Sequence, residues 1–461
     1  MKKILIKCFS IVAMLLCIAT IASCVDVTSN TSIQINKFPE ETYKKGTDVN
    51  EALENITITV YENSALKASG NLNALKELGV NVEGFNLEHE GTYTAKISYG
   101  TATVTFTYTV VEGVVEVDSE EDFNVTGDIV ALELVANVEL TKQVNIPENS
   151  KVVLDLGEFT LTTADTFNKD DYLLNIPATS SLEVKAGENG SIVNNKVDSM
   201  GTFNVYGELV IREGKFTDYS QTFVEKARLG ALLSLNENAQ LTIYNGNFKS
   251  IKAEGYEGHF GKEVLDLKQD SVTKIYGGTF YNESQDAPTN DFTHGAYAIN
   301  SVGNLFIYGG QFDGGRGAIA LVGGQFDVHG GEFGKLSCKY RPIYCSGAEA
   351  AVSGVISGGI FYANAGGSQP IYVSNPNKLD GGKMEYSSLV VSGGTFINPK
   401  GSGIYYGGKE YGSLLVQGGL FQTNSANIIS YGTGAATAIV PGYEVVAKNV
   451  DGQNYYSVEK K

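Results

Sequence analysis

Between Glu208 and Phe421, apolar and polar residues alternate in short stretches that each end in a glycine and a phenylalanine. The phrase reads IYNGNF, IYGGTF, IYGGQF, VHGGEF, ISGGIF, VSGGTF and VQGGLF. Together with Phe216, its last residue falls at Phe248, Phe280, Phe312, Phe333, Phe361, Phe396 and Phe421. The first three intervals are 32 residues and the next four are 21, 28, 35 and 25. A fixed phrase at variable spacing predicts a constant strand joined by loops of changing length, not helical repeats. Five residues before each Phe stands Ile or Val, as at Ile211, Ile275 and Val416, and two residues earlier the position is mostly apolar. Strand side chains alternate between two faces, so one face is buried as the chain reaches the glycine step. A glycine stands two residues before Phe in every copy, which predicts a corner needing positive φ or close packing. Such coils bury their apolar faces only by stacking, and the expected product is a β-solenoid. In that stack Tyr244, Tyr276, Tyr308 and His329 fall in one ladder. The extra GGQF at Gly323–Phe326 reads as a second strand of the same coil, with a shortened coil as the alternative.

Upstream, NITITVYE (Asn55–Glu62) alternates as a half-buried strand does. Gly91–Val111 reads as two long strands joined at YGTA, with Gly100 in the turn and Ile97, Val104, Phe106 and Tyr108 on buried faces. The segment ALKASGNLNALKELG, interrupted by Gly70, is expected to form loops or one helical turn. At the start of the chain, basic residues precede an apolar stretch and small residues follow it, the layout of a secretory leader. No later apolar run approaches the ~20 residues that span a bilayer.

Three stretches resemble known families. IASC (Ile21–Cys24) resembles the lipobox of bacterial lipoproteins, which implies cleavage after residue 23 and lipid on Cys24. Residues 33–112 resemble the bacterial Ig-like domains (group 3-like) through Phe38, Tyr43, Gly46, Gly91, Tyr93, Thr94, Tyr99, Thr105 and Phe106. That resemblance implies a β-sandwich without an inter-sheet disulfide, used as a spacer. The glycine–phenylalanine coils resemble the right-handed parallel β-helix of the pectate-lyase-like superfamily. Leu154, Asp155, Leu156 and Gly157 carry the match to its opening coil, and PGYEVVAKNVDGQNYYSV resembles its closing hairpin. Handedness is implied by the resemblance alone. The expected fold class is thus all-β, an Ig-like sandwich followed by a single-stranded right-handed parallel β-helix. The expected organisation is a signal peptide at 1–23, a lipidated linker at 24–32, the Ig-like domain at 33–112, and the β-helix at 113–461 with an N-terminal cap and a C-terminal hairpin cap.

The net charge of -18 repels nucleic acid and anionic headgroups, so no nucleic-acid partner is expected, while Ca²⁺ and basic proteins remain candidate ligands. Cys338 and Cys345, in CKYRPIYC, are read as a disulfide, because two nearby cysteines outside the cytoplasm oxidise readily. A lone pair without His is not a zinc site, and no metal ligands are assigned. Members of the superfamily that cleave polysaccharides use a Ca²⁺-binding carboxylate cluster with a basic residue, or paired carboxylates in GDD and GHG phrases. Neither set occurs here, and EGHFG around His259 is a partial echo. There is also no HExxH, Walker loop or nucleophile elbow, so no catalytic residue or cofactor is assigned and the reading leans against an enzyme. Chemistry concentrates in three inter-coil loops carrying Tyr256, His259, Phe260, Asp286, Asp291, His294, Tyr340 and Arg341. If these loops emerge together, their rings and polar groups suit a glycan. The expected function is a cell-surface protein, anchored to the membrane by lipid, that displays its β-helix for adhesion or carbohydrate binding, with a polysaccharide or a host or surface protein as partner. The alternatives are a lyase or glycoside hydrolase acting on acidic glycans, and a structural stalk.

Overall fold

The computed structural model describes residues 31–37, 42–62, 65–220, 223–224, 227–228, 231–254, 262–283, 297–336, 338, 341–347, 349–363, 369–373, 387–408, 412–432 and 437–461. The chain divides into two compact units, Met1–Val114 and Val115–Lys461. In the first unit, Thr57–Glu62 pairs antiparallel with Thr31–Lys37 on one side and Ala65–Asn71 on the other. The predicted hairpin, Gly91–Tyr99 and Ala102–Val111, turns at Gly100 and makes a second sheet with Asn81–Glu83 and Thr42–Lys44. Ile58 and Val60 from one sheet pack with Ile97, Phe106, Tyr108 and Val110 from the other, while Val104 is only partly buried. The segment read as loops or a helical turn divides. Its first half is the third strand of the first sheet, and Asn71 then caps the short helix Leu72–Leu75 by accepting the Ala74 N–H at 2.8 Å. Sheet pairing supplied by Thr57–Glu62 overrides the weak local preference of those residues.

The second unit is built from three long sheets of 12, 13 and 11 strands, parallel except for the C-terminal hairpin. Each coil visits them in that order, as in Gln240–Ile243, Asn247–Ser250 and Leu265–Leu267, before Val272–Ile275 begins the next. The register joins like to like: Ile243 to Ile275 to Ile307, and Phe248 to Phe280 to Phe312. The phenylalanines from Phe216 to Phe421 form one buried ladder. The rings of Phe248 and Phe280 are 4.8 Å apart and nearly coplanar in orientation. All eight corner glycines have positive φ. At Gly278 (φ +98) an added Cβ would also lie 2.8 Å from the Gly246 carbonyl oxygen, so a residue with a side chain is refused twice. Gly324–Val328 joins the 12-stranded sheet between Asn304–Ile307 and Val352–Ile356, in the short coil that ends on Phe333. Tyr443–Val450 and Gln453–Lys460 close the stack as an antiparallel hairpin on Leu420–Thr423.

A further column lies two residues beyond the phenylalanines. Asp218, Ser250, Asn282 and Asn398 are all buried there, where the chain leaves the 13-stranded sheet. Asn282 shows what the position does: it donates to the Tyr297 carbonyl at 2.7 Å and accepts the Gly315 N–H at 2.9 Å. Asn398 does the same by donating to the Ser402 carbonyl at 2.7 Å, so these asparagines satisfy backbone groups that no ladder reaches.

The two cysteines expected to form a disulfide lie in different settings. Cys338 and Cys345 are both buried. Cys345 lies in strand Ile343–Cys345 and points into the core, in register between Leu321 and Val373. Cys338 precedes that strand, with its Sγ 3.7 Å from the Arg316 carbonyl oxygen. Burial pushes the Cys345 thiol up to about 12, which suppresses the reactive thiolate. Alkylation followed by peptide mapping should leave both cysteines unlabelled in the folded protein and label both after denaturation. Recovery of a Cys338–Cys345 disulfide peptide would contradict this.

Candidate functional site

The outer face of the 11-stranded sheet changes character along the stack. Its outward column runs Asn145, Asn175, Asn204, Ser234, Asp266, Asn300 and Ala320, then Tyr344, Tyr372 and Tyr405. In the first part the amides bond to one another, with Asn204 Nδ2 donating to Asn175 Oδ1 at 2.9 Å. In the second part the strands read IYC, IYV and IYY. Alternation buries the isoleucines Ile343, Ile371 and Ile404 and turns the tyrosines outward, where they are half-buried.

Arginine completes this face. The Arg341 guanidinium lies 3.5 Å from the centre of the Tyr372 ring and 5.8 Å from that of Tyr344. Tyr372 and Tyr405 stack at 4.3 Å, and Tyr344 leans against Tyr372 at 6.0 Å. Tyr297, 6.1 Å from Tyr344, carries Arg316 at 5.8 Å. A guanidinium over a ring is attracted by the ring quadrupole while its edges keep their N–H donors. Gly317 makes the arrangement sterically attainable, because a Cβ there would lie 2.1 Å from the Arg341 carbonyl oxygen and 2.3 Å from the Tyr297 ring. Burial raises the phenols of Tyr297 and Tyr344, so both are neutral hydroxyls at ordinary pH. Of the chain's arginines, Arg212, Arg228, Arg316 and Arg341, two therefore stand on one tyrosine face of an acidic protein.

The ladder predicted from Tyr244 to His329 also forms, at the corner between the 12- and 13-stranded sheets. Its centroids are 5.2, 4.8 and 5.2 Å apart, and the Arg212 guanidinium caps it 4.2 Å from the Tyr244 ring. Ring faces here are taken up by neighbouring rings, so this ladder offers solvent mainly its edges. Burial raises Tyr276 to about 12, and burial likewise raises Tyr172 to about 12, against 10.0 for an ordinary phenol. A folded-state pKa above the unfolded value favours the folded protein fully below pH ~10, and that contribution is lost as pH rises through ~12. Alkaline titration should therefore show phenolate absorbance and loss of the β circular-dichroism signal rising together in that window. Tyrosine ionisation complete near pH 10 with the fold intact would contradict it.

Of the residues singled out from sequence, Arg341 stands on the tyrosine face. Tyr256, His259, Phe260, Asp286, Asp291, His294, Tyr340 and Cys24 lie outside the described residues. The three loops in question, 251–264, 283–296 and 334–342, all connect the 13-stranded sheet to the 11-stranded sheet. Their described ends thus leave and rejoin the solenoid along one corner, beside this face. Tyr297, Arg316, Tyr372 and Tyr405 were not singled out. The signal was a second repeated phrase, PIYC, PIYV and GIYY, in the third strand of successive coils. Among the described residues no three or more His, Cys, Asp and Glu side chains gather as a metal site. Comparison of the chain with protein-family models, curated proteins and solved structures gives no match.

Proposed function

We propose that this chain is an exported surface protein, lipid-anchored through Cys24, whose solenoid binds acidic glycans on the tyrosine–arginine face of its 11-stranded sheet. In this reading the first unit is a bacterial Ig-like spacer, and the solenoid has the right-handed, pectate-lyase-like form that its coils resemble. The observation that carries the binding role is the stack of Arg341, Tyr372 and Tyr405, with Tyr344 and the Tyr297–Arg316 pair beside it. A protein of net charge -18 repels polyanions over most of its surface, so guanidinium groups gathered at one place define where an acid can approach. Guanidinium edges pair in a bidentate manner with uronate carboxylates, and phenol hydroxyls bond to sugar hydroxyls.

The test is retention on a panel of uronate-containing and neutral polysaccharides, with and without Ca²⁺, with the incubated glycans assayed for unsaturated and reducing ends. Retention on uronates alone, without new ends, is the expected result. New ends would make the protein a lyase or hydrolase, and no retention on any glycan would leave the stalk reading.

A further inference from the structure

The corner column described above contains one member unlike the others. Asn282 and Asn398 close their corners as uncharged groups, whereas Asp218 meets a lysine from the following coil. Lys262 Nζ lies 3.4 Å from Asp218 Oδ1, donates to the Met200 carbonyl at 3.0 Å and contacts Ser220 Oγ. Asp218 and Ser220 are fully buried and Lys262 is 5% exposed. The carboxylate is held at both oxygens. Oδ1 accepts the Ser220 N–H at 2.8 Å and the Ser220 hydroxyl at 2.5 Å, while Oδ2 accepts Thr202 Oγ1 at 3.0 Å and Asn194 Nδ2 at 3.4 Å. Asn282 shows that an uncharged side chain satisfies this corner, so backbone closure does not account for the ion pair.

We propose that Lys262 and Asp218 condense to an intramolecular amide, a covalent staple between adjacent coils. The chemistry needs no outside reagent. An ammonium shut away from water is disfavoured, and transfer of one Nζ proton to Oδ1 leaves a neutral amine beside the carboxyl carbon. Burial pushes the Lys262 ammonium below its ordinary range in keeping with this. The amine lone pair attacks Asp218 Cγ, and the C–O electron pair moves onto Oδ2, where Thr202 and Asn194 stand as donors for the developing oxyanion. Ser220 Oγ contacts both Nζ and Oδ1, so it can pass the departing amine proton to Oδ1. Collapse of the oxyanion breaks the Cγ–Oδ1 bond and releases one water. An ammonium and a carboxylate thus become one amide N–H, one carbonyl and one water, with no change of oxidation state. The amide would close a loop of 44 residues, counted from Asp218 to Lys262. It would fasten the ends of loops 219–232 and 251–264 along the corner between the 13- and 11-stranded sheets.

The test is the intact mass of the folded wild-type protein, followed by peptide mapping. The expected mass is one water below that of the same chain without the amide, with the Asp218 and Lys262 peptides recovered as a single branched species. The Lys262→Arg and Asp218→Ala variants should not give that species, and Ser220→Ala should form it at least tenfold more slowly after refolding. Two separate, unmodified peptides from folded wild-type protein would overturn the proposal. So would an Asp218 peptide that has lost water while the Lys262 peptide is intact, since that would be cyclisation at the aspartate.

Discussion

Phe280→Ala is expected to destabilise the solenoid by about 3–5 kcal/mol, the cost of emptying a phenylalanine site in a packed core. Phe280 is 1% exposed and its ring lies between Phe248 at 4.8 Å and Phe312 at 4.9 Å, within 6° of parallel to both. Truncation therefore exposes a face of each neighbour to a cavity. The cavity cannot collapse along the stack, because backbone ladders on both sides of Phe280 fix the spacing of the coils. Thr279, the adjacent outward residue, is the control, and Thr279→Ala should change stability by less than about 0.5 kcal/mol. Denaturant unfolding followed by circular dichroism gives both values. Equal losses for the two variants would mean that the phenylalanine ladder does not hold the coils together.

The repeated phrase makes most of this core legible in the sequence. Its signals are local: a β-branched residue to face inward, a glycine where the backbone must turn with positive φ, and a phenylalanine after it. Each is a requirement that neighbouring residues impose within one coil, so it recurs in the chain as a visible column. The column two residues further on, Asp218, Ser250, Asn282 and Asn398, is broken by Gly314, Lys335 and Ala363. These breaks hide it in the chain, and polar residues after a strand ordinarily read as loop.

The cysteines and the candidate face were harder for a different reason. Nearness of Cys338 and Cys345 in sequence says nothing about where each thiol points; strand alternation turns Cys345 inward, and Cys338 lies before the strand against the Arg316 carbonyl. The tyrosine face depends on register between coils whose loops differ in length. Tyr344, Tyr372 and Tyr405 are 28 and 33 residues apart, and only the parallel ladders align them. The 13-to-11 connections vary from Gly314–Arg316 to residues 283–296, so counting along the chain does not reveal that they share a corner.

Binding should depend on Arg341 more than on any other single residue of the face. Its guanidinium is 3.5 Å from the Tyr372 ring centre on a half-buried residue, so a carboxylate can pair with its N–H edge while the ring holds it in place. A hydrogen bond to a charged group contributes about 1.5–3 kcal/mol, so Arg341→Gln should weaken binding of a uronate oligosaccharide roughly 10- to 150-fold. Arg341→Lys should recover only part of it, since an ammonium keeps the charge and loses the planar fork. The variants should fold normally, because Arg341 is half-buried on the outside of the solenoid.

Calorimetric titration of wild-type protein and Arg341→Gln with one uronate oligosaccharide and its neutral, carboxyl-reduced counterpart therefore bears most directly on the function proposed here. The predicted result is wild-type binding of the uronate, a loss of at least tenfold on Arg341→Gln, and little binding of the neutral sugar by either. Equal affinity of the two proteins for the uronate, or equal affinity of the wild type for both sugars, would contradict it.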